Sequence, residues 1–185
     1  MKSNLTTMCL SLCGLSLLVG AALAGVNILT QKPIAEAQEA ARRQAIAEVL
    51  PAFDNNPSDN VYEVDGLTLF PATLGGERVG TAVETFSDNG FSGRFTILAG
   101  FDTDGRITGY RVLSHAETPG LGARMADWFT EPGSTHYIIG HAKPFVVAAD
   151  GGDIDAITGA TITSRAFMEA LNRAAEACAN SMTDR

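Results

Sequence analysis

Four hydroxyl side chains crowd the segment that precedes a predicted C-terminal helix. They belong to Thr158, Thr161, Thr163 and Ser164. The small residues Gly159 and Ala160 between them allow close backbone approach, and a helix N-terminus offers unpaired N–H groups and a favourable dipole to an anion. The arrangement suits a phosphate group, although Thr and Ser before a helix are equally typical of an ordinary N-cap.

A second candidate loop follows a predicted strand and reads Glu-Thr-Pro-Gly-Leu-Gly over residues 117–122. The Pro119-Gly120 pair favours a tight turn, and loops at strand ends often carry binding residues. Elsewhere, His115 and His141 have no cysteine or carboxylate partners at ligand spacing, so we predict no metal site.

The elements that must hold these loops are strands separated by Gly and Pro turns and closed by a helix. Strands are predicted over residues 61–64, 67–70, 79–86, 95–101, 106–113 and 141–149. The best-defined pair is a hairpin, because Phe95, Ile97 and Ala99 alternate before an Asp-Gly turn and a returning strand. The last helix is predicted over residues 163–181, where Ala residues at i+4 spacing form an apolar face for docking on the sheet.

Length and composition limit the fold and the partners. A chain of 185 residues has room for one domain with its own core, and the mixture of strand and helix patterns predicts an α+β fold with an antiparallel sheet and flanking helices. The net charge of −8, with no basic cluster longer than Arg42-Arg43, argues against nucleic acid as a partner. The three cysteines offer no disulfide framework or zinc spacing in the soluble part.

The N-terminus carries an uncharged run from Leu5 to Leu29, long enough to cross a hydrocarbon core as one helix. A cleaved secretory signal is the alternative, since Lys2 and Ala22-Leu23-Ala24 match its charged start and its cleavage site. The apolar run continues past that site, which favours a retained anchor.

The segment Pro33 to Leu50 is predicted to be an amphipathic helix that begins at its proline. A polar Asn/Asp/Pro loop follows it. The chain is therefore predicted to consist of a transmembrane anchor at 1–30, an amphipathic helix and linker at 31–60, and one domain at 61–185.

Two motifs carry a family resemblance. The segment from Asp155 to Thr161 resembles the flavinylation motif of extracytoplasmic FMN-binding domains, an acidic residue followed by Ser/Thr-Gly-Ala-Thr. The 117–122 loop resembles the same family's Glu-Thr-Pro-Gly-Leu-Gly loop, which lies against the flavin. The resemblance covers the whole chain, and the residues flanking both motifs favour the G-type subunit of the Rnf ion-translocating oxidoreductase. Thr158 stands where serine is common and keeps the hydroxyl.

The resemblance implies a single FMN joined through its phosphate to the Thr161 hydroxyl, attached by a separate metal-dependent transferase that uses FAD. Asp155 is a hypothetical aid to that transferase. The cofactor-binding residues that we expect beside Thr161 are Thr158, Gly159, Ala160, Glu117, Thr118, Leu121, Gly122 and Lys143. Glu117 and Thr118 are expected to hydrogen-bond the isoalloxazine edge and Leu121 to pack on its face; the alternative is that this loop is a plain structural turn. Lys143 either neutralises phosphate charge or is simply solvated, and Trp128 is either a core residue or stacks on the flavin.

The resemblance also implies a place in a membrane-bound, redox-driven ion pump of the bacterial inner membrane, as a single-pass component with its domain on the periplasmic side. There it would relay electrons between an iron–sulfur centre and a second flavoprotein of the complex. Two alternatives stay open. One is the C-type subunit of a sodium-translocating NADH:quinone reductase, which is usually a longer chain, and the other is a membrane-tethered binding or assembly protein without a cofactor.

Overall fold

Two long helices and a five-stranded sheet dominate the part of the chain that the computed structural model describes, residues 5–183. The elements are α1 (Leu5–Val49), β1 (Tyr62–Val64), β2 (Leu67–Leu74), β3 (Glu77–Ser87), β4 (Phe95–Asp102), β5 (Ile107–Ser114) and α2 (Thr161–Thr183). Short 3-10 turns connect several of them. The predicted α+β class with an antiparallel sheet and flanking helices is confirmed.

The sheet is a meander in which every neighbouring pair of strands is antiparallel, in the order β1-β2-β3-β4-β5. The predicted hairpin is confirmed as β4 and β5. Its turn is fixed by Asp102, whose carboxylate accepts hydrogen bonds from the backbone N–H groups of Asp104 at 2.9 Å and Arg106 at 2.8 Å. This Asx-type turn sets the register of the strand that leads into the 117–122 loop.

The sheet is buried on both faces, because a helix packs on each of them. Successive side chains of a strand point to opposite faces and so enter different cores. On β2, Leu69 belongs to the core beneath α2, whereas Phe70 belongs to a smaller core beneath the end of α1. On β4, Ile97 and Leu98 divide in the same way. The strands therefore read as nearly continuous apolar runs.

The end of α1 is pressed against the second face of the sheet. Ala45, Ile46 and Val49 are buried there, and the Thr108 hydroxyl donates a hydrogen bond to the Val49 carbonyl. A Cβ on Gly100 would lie only 2.0 Å from that carbonyl oxygen, so the close approach depends on a residue without a side chain.

The helix α2 covers the first face and centres its core on Phe167. The ring of Phe167 lies 4.9 Å from that of Tyr110 and 4.8 Å from that of Phe129, measured between centroids. The Tyr110 hydroxyl donates to the Met125 carbonyl at 2.8 Å and accepts the Phe129 N–H at 3.2 Å. Burial raises the pKa of this hydroxyl. The tyrosine thereby ties the segment after the 117–122 loop to β5.

The strand predicted over residues 141–149 is wrong. This stretch forms only isolated bridges, from Ala142 to Arg106 and from Val147 to Ile154. Pro144 has no N–H to give to a ladder, and the N–H and C=O of Phe145 are paired instead with the Asn172 side-chain amide, at 2.8 and 2.7 Å. The Asn172 side chain of α2 therefore makes the two backbone hydrogen bonds that a neighbouring strand would otherwise make.

The N-terminal helix fits a single-pass membrane anchor, since Met8–Gln31 is a stretch of 24 residues without a buried residue, long and apolar enough to span a bilayer. A signal sequence passes the same test. Lys2 lies outside the described residues. The predicted helix does not begin at Pro33, because α1 runs through that residue without a break. Pro33 cannot donate one backbone hydrogen bond, but the residues around it are mostly good helix formers.

By packing, the chain divides into two units, Met1–Arg42 and Arg43–Arg185. The second unit contains the whole sheet and α2. The functional boundaries placed after residues 30 and 60 stay predictions.

Candidate functional site

The two loops singled out by their sequences meet at one open pocket of about 330 Å³. That volume lies in the range typical of small-molecule sites. Its walls come from the loop before β4, the 117–122 loop and the first turn of α2. The lining residues are Phe91, Glu117, Thr118, Leu121, Gly122, Gly159, Ala160, Thr161, Ile162 and Thr163.

The four hydroxyls of the 158–164 segment have different surroundings. Ser164 is buried, and its hydroxyl donates to the Ala160 carbonyl at 3.0 Å and accepts the Ile157 N–H at 2.9 Å. Thr163 is also buried and donates to the Glu117 carboxylate at 3.0 Å. Thr158 is exposed and does not line the pocket. Thr161 is half-buried and lines the pocket, as Thr163 does, but its hydroxyl takes part in none of the hydrogen bonds found among residues 5–183.

The turn before α2 brings Thr161 to the pocket. The Ala160 N–H is donated to the Ile157 carbonyl at 2.9 Å, which closes a tight turn. Gly159 adopts a φ of +79°, a left-handed conformation that glycine tolerates best. Since α2 begins at Thr161, the N–H groups of residues 161–163 have no carbonyl partner among the described residues, whereas that of Ser164 is donated to the Ala160 carbonyl at 3.0 Å. These three N–H groups carry the positive end of the helix dipole.

Glu117 is the one charged residue that lines the pocket, and it is almost fully buried at 5% exposure. One carboxylate oxygen accepts the Ser92 N–H at 3.1 Å, and the other accepts the Thr163 hydroxyl at 3.0 Å. The carboxylate therefore faces into the protein and joins the loop before β4 to the start of α2. Positive potential for an anion in the pocket comes from the helix terminus rather than from a basic lining residue.

Phe91 is a pocket residue that the sequence motifs did not identify. Its side chain is 68% exposed, and two other large apolar residues that line the pocket, Leu121 and Ile162, are 44% and 51% exposed. Phe91 sits in a turn closed by a hydrogen bond from the Gly93 N–H to the Gly90 carbonyl at 3.1 Å. An aromatic residue between two glycines, outside any strand period, was the available signal.

The remaining residues of the predicted site lie around or away from the pocket. Thr118 lines it, and its carbonyl accepts the N–H groups of Leu121 and Ala123, each at 3.2 Å. Lys143 does not line it, and its ammonium lies 3.9 Å from the Glu176 carboxylate. Asp155 is held by Thr135, whose hydroxyl donates to its carboxylate.

Trp128, His115 and His141 do not line the pocket either. Trp128 stacks on His136 with ring centroids 4.0 Å apart, and its indole N–H is donated to the Asp155 carbonyl. The ring of His115 accepts the Glu117 N–H at 3.2 Å, which helps to hold the 117–122 loop, and His141 is exposed.

Comparison with known proteins matches the part of the chain that contains the pocket to a recognised type of domain. Residues 90–176 match the FMN-binding domain family, a range that begins beside Phe91 and includes both loops. Over 164 residues the chain is 35% identical to the G-type subunit of the ion-translocating oxidoreductase complex of Yersinia pestis, covering 81% of this chain and 78% of that protein. The corresponding protein of Aliivibrio fischeri strain MJ11, of the same name, is 36% identical over 188 residues, which is 92% of this chain and 90% of that protein.

Proposed function

Because this chain belongs to the family of G-type subunits of the ion-translocating oxidoreductase complex, we propose that it holds one FMN through a phosphodiester to Thr161. Membership makes the chain one component of a multisubunit oxidoreductase, with an electron-transfer role and an FMN-binding domain. The observation that carries the attachment site is Thr161, a half-buried residue that lines the pocket and whose hydroxyl makes no hydrogen bond among the described residues.

The residues present fit an FMN. The half-exposed Thr161 and the first turn of α2 offer a hydroxyl and unpaired N–H groups to a phosphate. Next to them, Phe91, Leu121 and Ile162 offer exposed apolar surface to an isoalloxazine ring. An FMN requires a site for its phosphate and an apolar surface for its ring. The helix terminus and the three apolar side chains provide these two sites next to each other.

The attachment requires a donor and a separate enzyme. We propose that a metal-dependent transferase supplies FMN from FAD. The Thr161 Oγ1 forms a bond to the phosphorus on the FMN side of the pyrophosphate, the bond from that phosphorus to the bridging oxygen breaks, and AMP leaves with the bonding electrons. The hydroxyl proton is given up to a base of the transferase. Asp155 is proposed to take part in recognition of the segment.

Each residue near the bond has a proposed part. Gly159 and Ala160 keep side-chain bulk away from the phosphate, and Gly159 supplies the left-handed turn before the helix. Leu121 and Phe91 exclude water from the ring, and Thr118 and Gly122 complete the lining contributed by the 117–122 loop. Thr158 is proposed only as an outer contact of the phosphate, since it does not line the pocket. Lys143 is given no contact with the phosphate, because its ammonium lies beside Glu176, about 22 Å along α2 from Thr161 at 1.5 Å rise per residue. When bound, FMN itself takes up and releases one or two electrons.

Covalent attachment has a physical benefit for a carrier of this kind. A non-covalent site loses its ligand when the free ligand concentration falls below the dissociation constant. A phosphodiester removes that dissociation. We propose that the domain lies on the periplasmic side of the bacterial inner membrane, anchored by α1, and relays electrons between an iron–sulfur protein and a second flavoprotein of the complex.

Intact mass spectrometry of the full chain, purified from cells that contain an active transferase, tests this proposal. The expected mass exceeds that of the chain by one FMN less one water, and peptide mapping should place the addition on Thr161. The same spectrum reports whether the N-terminal segment is retained. An unmodified mature chain would contradict the proposal and support a tethered protein without cofactor.

Replacement of Phe91 by alanine is expected to loosen the flavin without loosening the fold. Phe91 is 68% exposed, so the free energy of unfolding should change by no more than about 0.5 kcal/mol. The ring would lose one apolar wall, and iodide should quench its fluorescence more strongly than in the parent protein. Leu74→Ala is the matched control, since Leu74 is 48% exposed and does not line the pocket. Equal quenching in all three proteins would exclude a role for Phe91 in covering the flavin.

A further inference from the structure

Glu117 has a buried carboxylate that is hydrogen-bonded to two of the segments that line the pocket. Its two oxygens accept hydrogen bonds from different chain segments, the Ser92 N–H of the turn that carries Phe91 and the Thr163 hydroxyl of the helix turn that carries Thr161. These segments lie far apart in the sequence, and the carboxylate is the group through which both are held.

The backbone around this carboxylate is packed to leave no spare room. A Cβ on Gly90 would lie 2.7 Å from one oxygen of Glu117, and a Cβ on Gly122 would lie 2.3 Å from the other. Both distances are shorter than real side-chain contacts. Two glycines therefore let the backbone come close to the carboxylate, one at each oxygen, which restricts where its oxygens can lie.

We infer that Glu117 is a positioning residue, which sets the distance and orientation between the aromatic wall at Phe91 and the attachment hydroxyl at Thr161. It does so from inside the protein, through Ser92 and Thr163, rather than by hydrogen bonds to the flavin edge. The inference rests on the proposed function, because its consequence is a defined orientation of a flavin attached at Thr161. Attachment of the flavin then depends on Thr161, whereas its orientation depends on Glu117.

The separation follows from the geometry. The Thr161 hydroxyl donates no hydrogen bond to Glu117, so loss of the carboxylate leaves the nucleophilic oxygen in place. The turn at residues 90–93 keeps its own internal hydrogen bond but loses its link to the 117–122 loop. The flavin would then be attached to a pocket whose walls no longer hold it in a single orientation.

The test uses the full flavinylated chain and compares Glu117→Ala with Glu117→Gln. Glutamine keeps an oxygen for the Ser92 N–H, and its amide can donate to the Thr163 hydroxyl, so both links survive without the charge. We expect full attachment by intact mass in both variants. The visible circular dichroism of the flavin should fall by at least about half in Glu117→Ala and stay near the parent value in Glu117→Gln, since that signal depends on a fixed ring environment.

Thr163→Val gives a second, milder route should Glu117→Ala fail to fold. Valine has nearly the shape of threonine and removes only the link between α2 and Glu117. A partial loss of flavin dichroism is expected.

The matched control is Asn172→Ala. It also removes two hydrogen bonds, those to the backbone N–H and C=O of Phe145, at a position that does not line the pocket. Its flavin dichroism should be unchanged at equal loss of stability.

Three outcomes would overturn the inference. They are unchanged dichroism in Glu117→Ala, equal loss in Glu117→Gln, which would make charge the cause, and equal loss in Asn172→Ala, which would make general loosening the cause. A parent chain without flavin on Thr161 would instead refute the proposed function, so the two failures are distinguishable by mass.

Discussion

Thr161→Ala is expected to abolish covalent flavin completely. The pocket is lined by two threonines of the 158–164 segment, and the hydroxyl of the other, Thr163, is buried and donated to Glu117. Of these two threonines, only Thr161 can present its hydroxyl to a phosphate without giving up a hydrogen bond. A denaturing gel under ultraviolet light should show a fluorescent band for the parent chain and a dark band for the variant, with intact mass as the quantitative measurement.

The controls separate the hydroxyl from the fold. Thr161→Ser keeps a hydroxyl at the same position and should retain at least partial attachment. Thr158→Ala removes the exposed hydroxyl outside the pocket and should be fully flavinylated. Thr161→Ala itself should melt within a few degrees of the unmodified parent, since the residue is half-exposed and its hydroxyl makes no internal hydrogen bond among the described residues. A fluorescent Thr161→Ala band would assign the bond to another residue.

The local parts of the fold could be predicted because short-range rules govern them. The β4–β5 hairpin follows from alternation and an Asp-Gly turn, and α2 follows from an apolar stripe at helical spacing. The stretch over residues 141–149 could not be predicted. Its β-like composition is real, but its partner is the Asn172 side chain, which no local pattern connects to Phe145.

The candidate site shows the same division. Motifs identified both loops, because glycines and hydroxyls at fixed spacing reflect local geometry. They could not show that Thr163 and Ser164 are occupied internally, since that depends on Glu117 and on a backbone turn. Phe91 was missed because its place in the pocket lining depends on two loops that are distant from it in the sequence, a property of the assembled pocket. Glu117 was expected to face a flavin edge, whereas its carboxylate is turned to Ser92 and Thr163.

Gly122→Ala is expected to damage both the fold and the flavin environment. The added methyl group would lie 2.3 Å from a carboxylate oxygen of Glu117 and 2.9 Å from the Thr163 hydroxyl oxygen. Because that carboxylate is buried and hydrogen-bonded on both sides, it has little room to move. Overpacking of this kind costs about 1–3 kcal/mol. Chemical denaturation should show that loss, and the visible dichroism of the flavin should decrease with it.

Gly120→Ala is the control for backbone strain in the same loop. Gly120 lies in the same loop with a φ of +77°, and a Cβ there would meet no atom within 4 Å. Alanine in that conformation costs about 1–2 kcal/mol through backbone strain alone, so the two variants should be destabilised to a similar extent. Only Gly122→Ala displaces Glu117. If both variants lose flavin dichroism equally, loop strain rather than the position of the carboxylate controls the ring; if only Gly122→Ala loses it, the contact with Glu117 is what orients the cofactor.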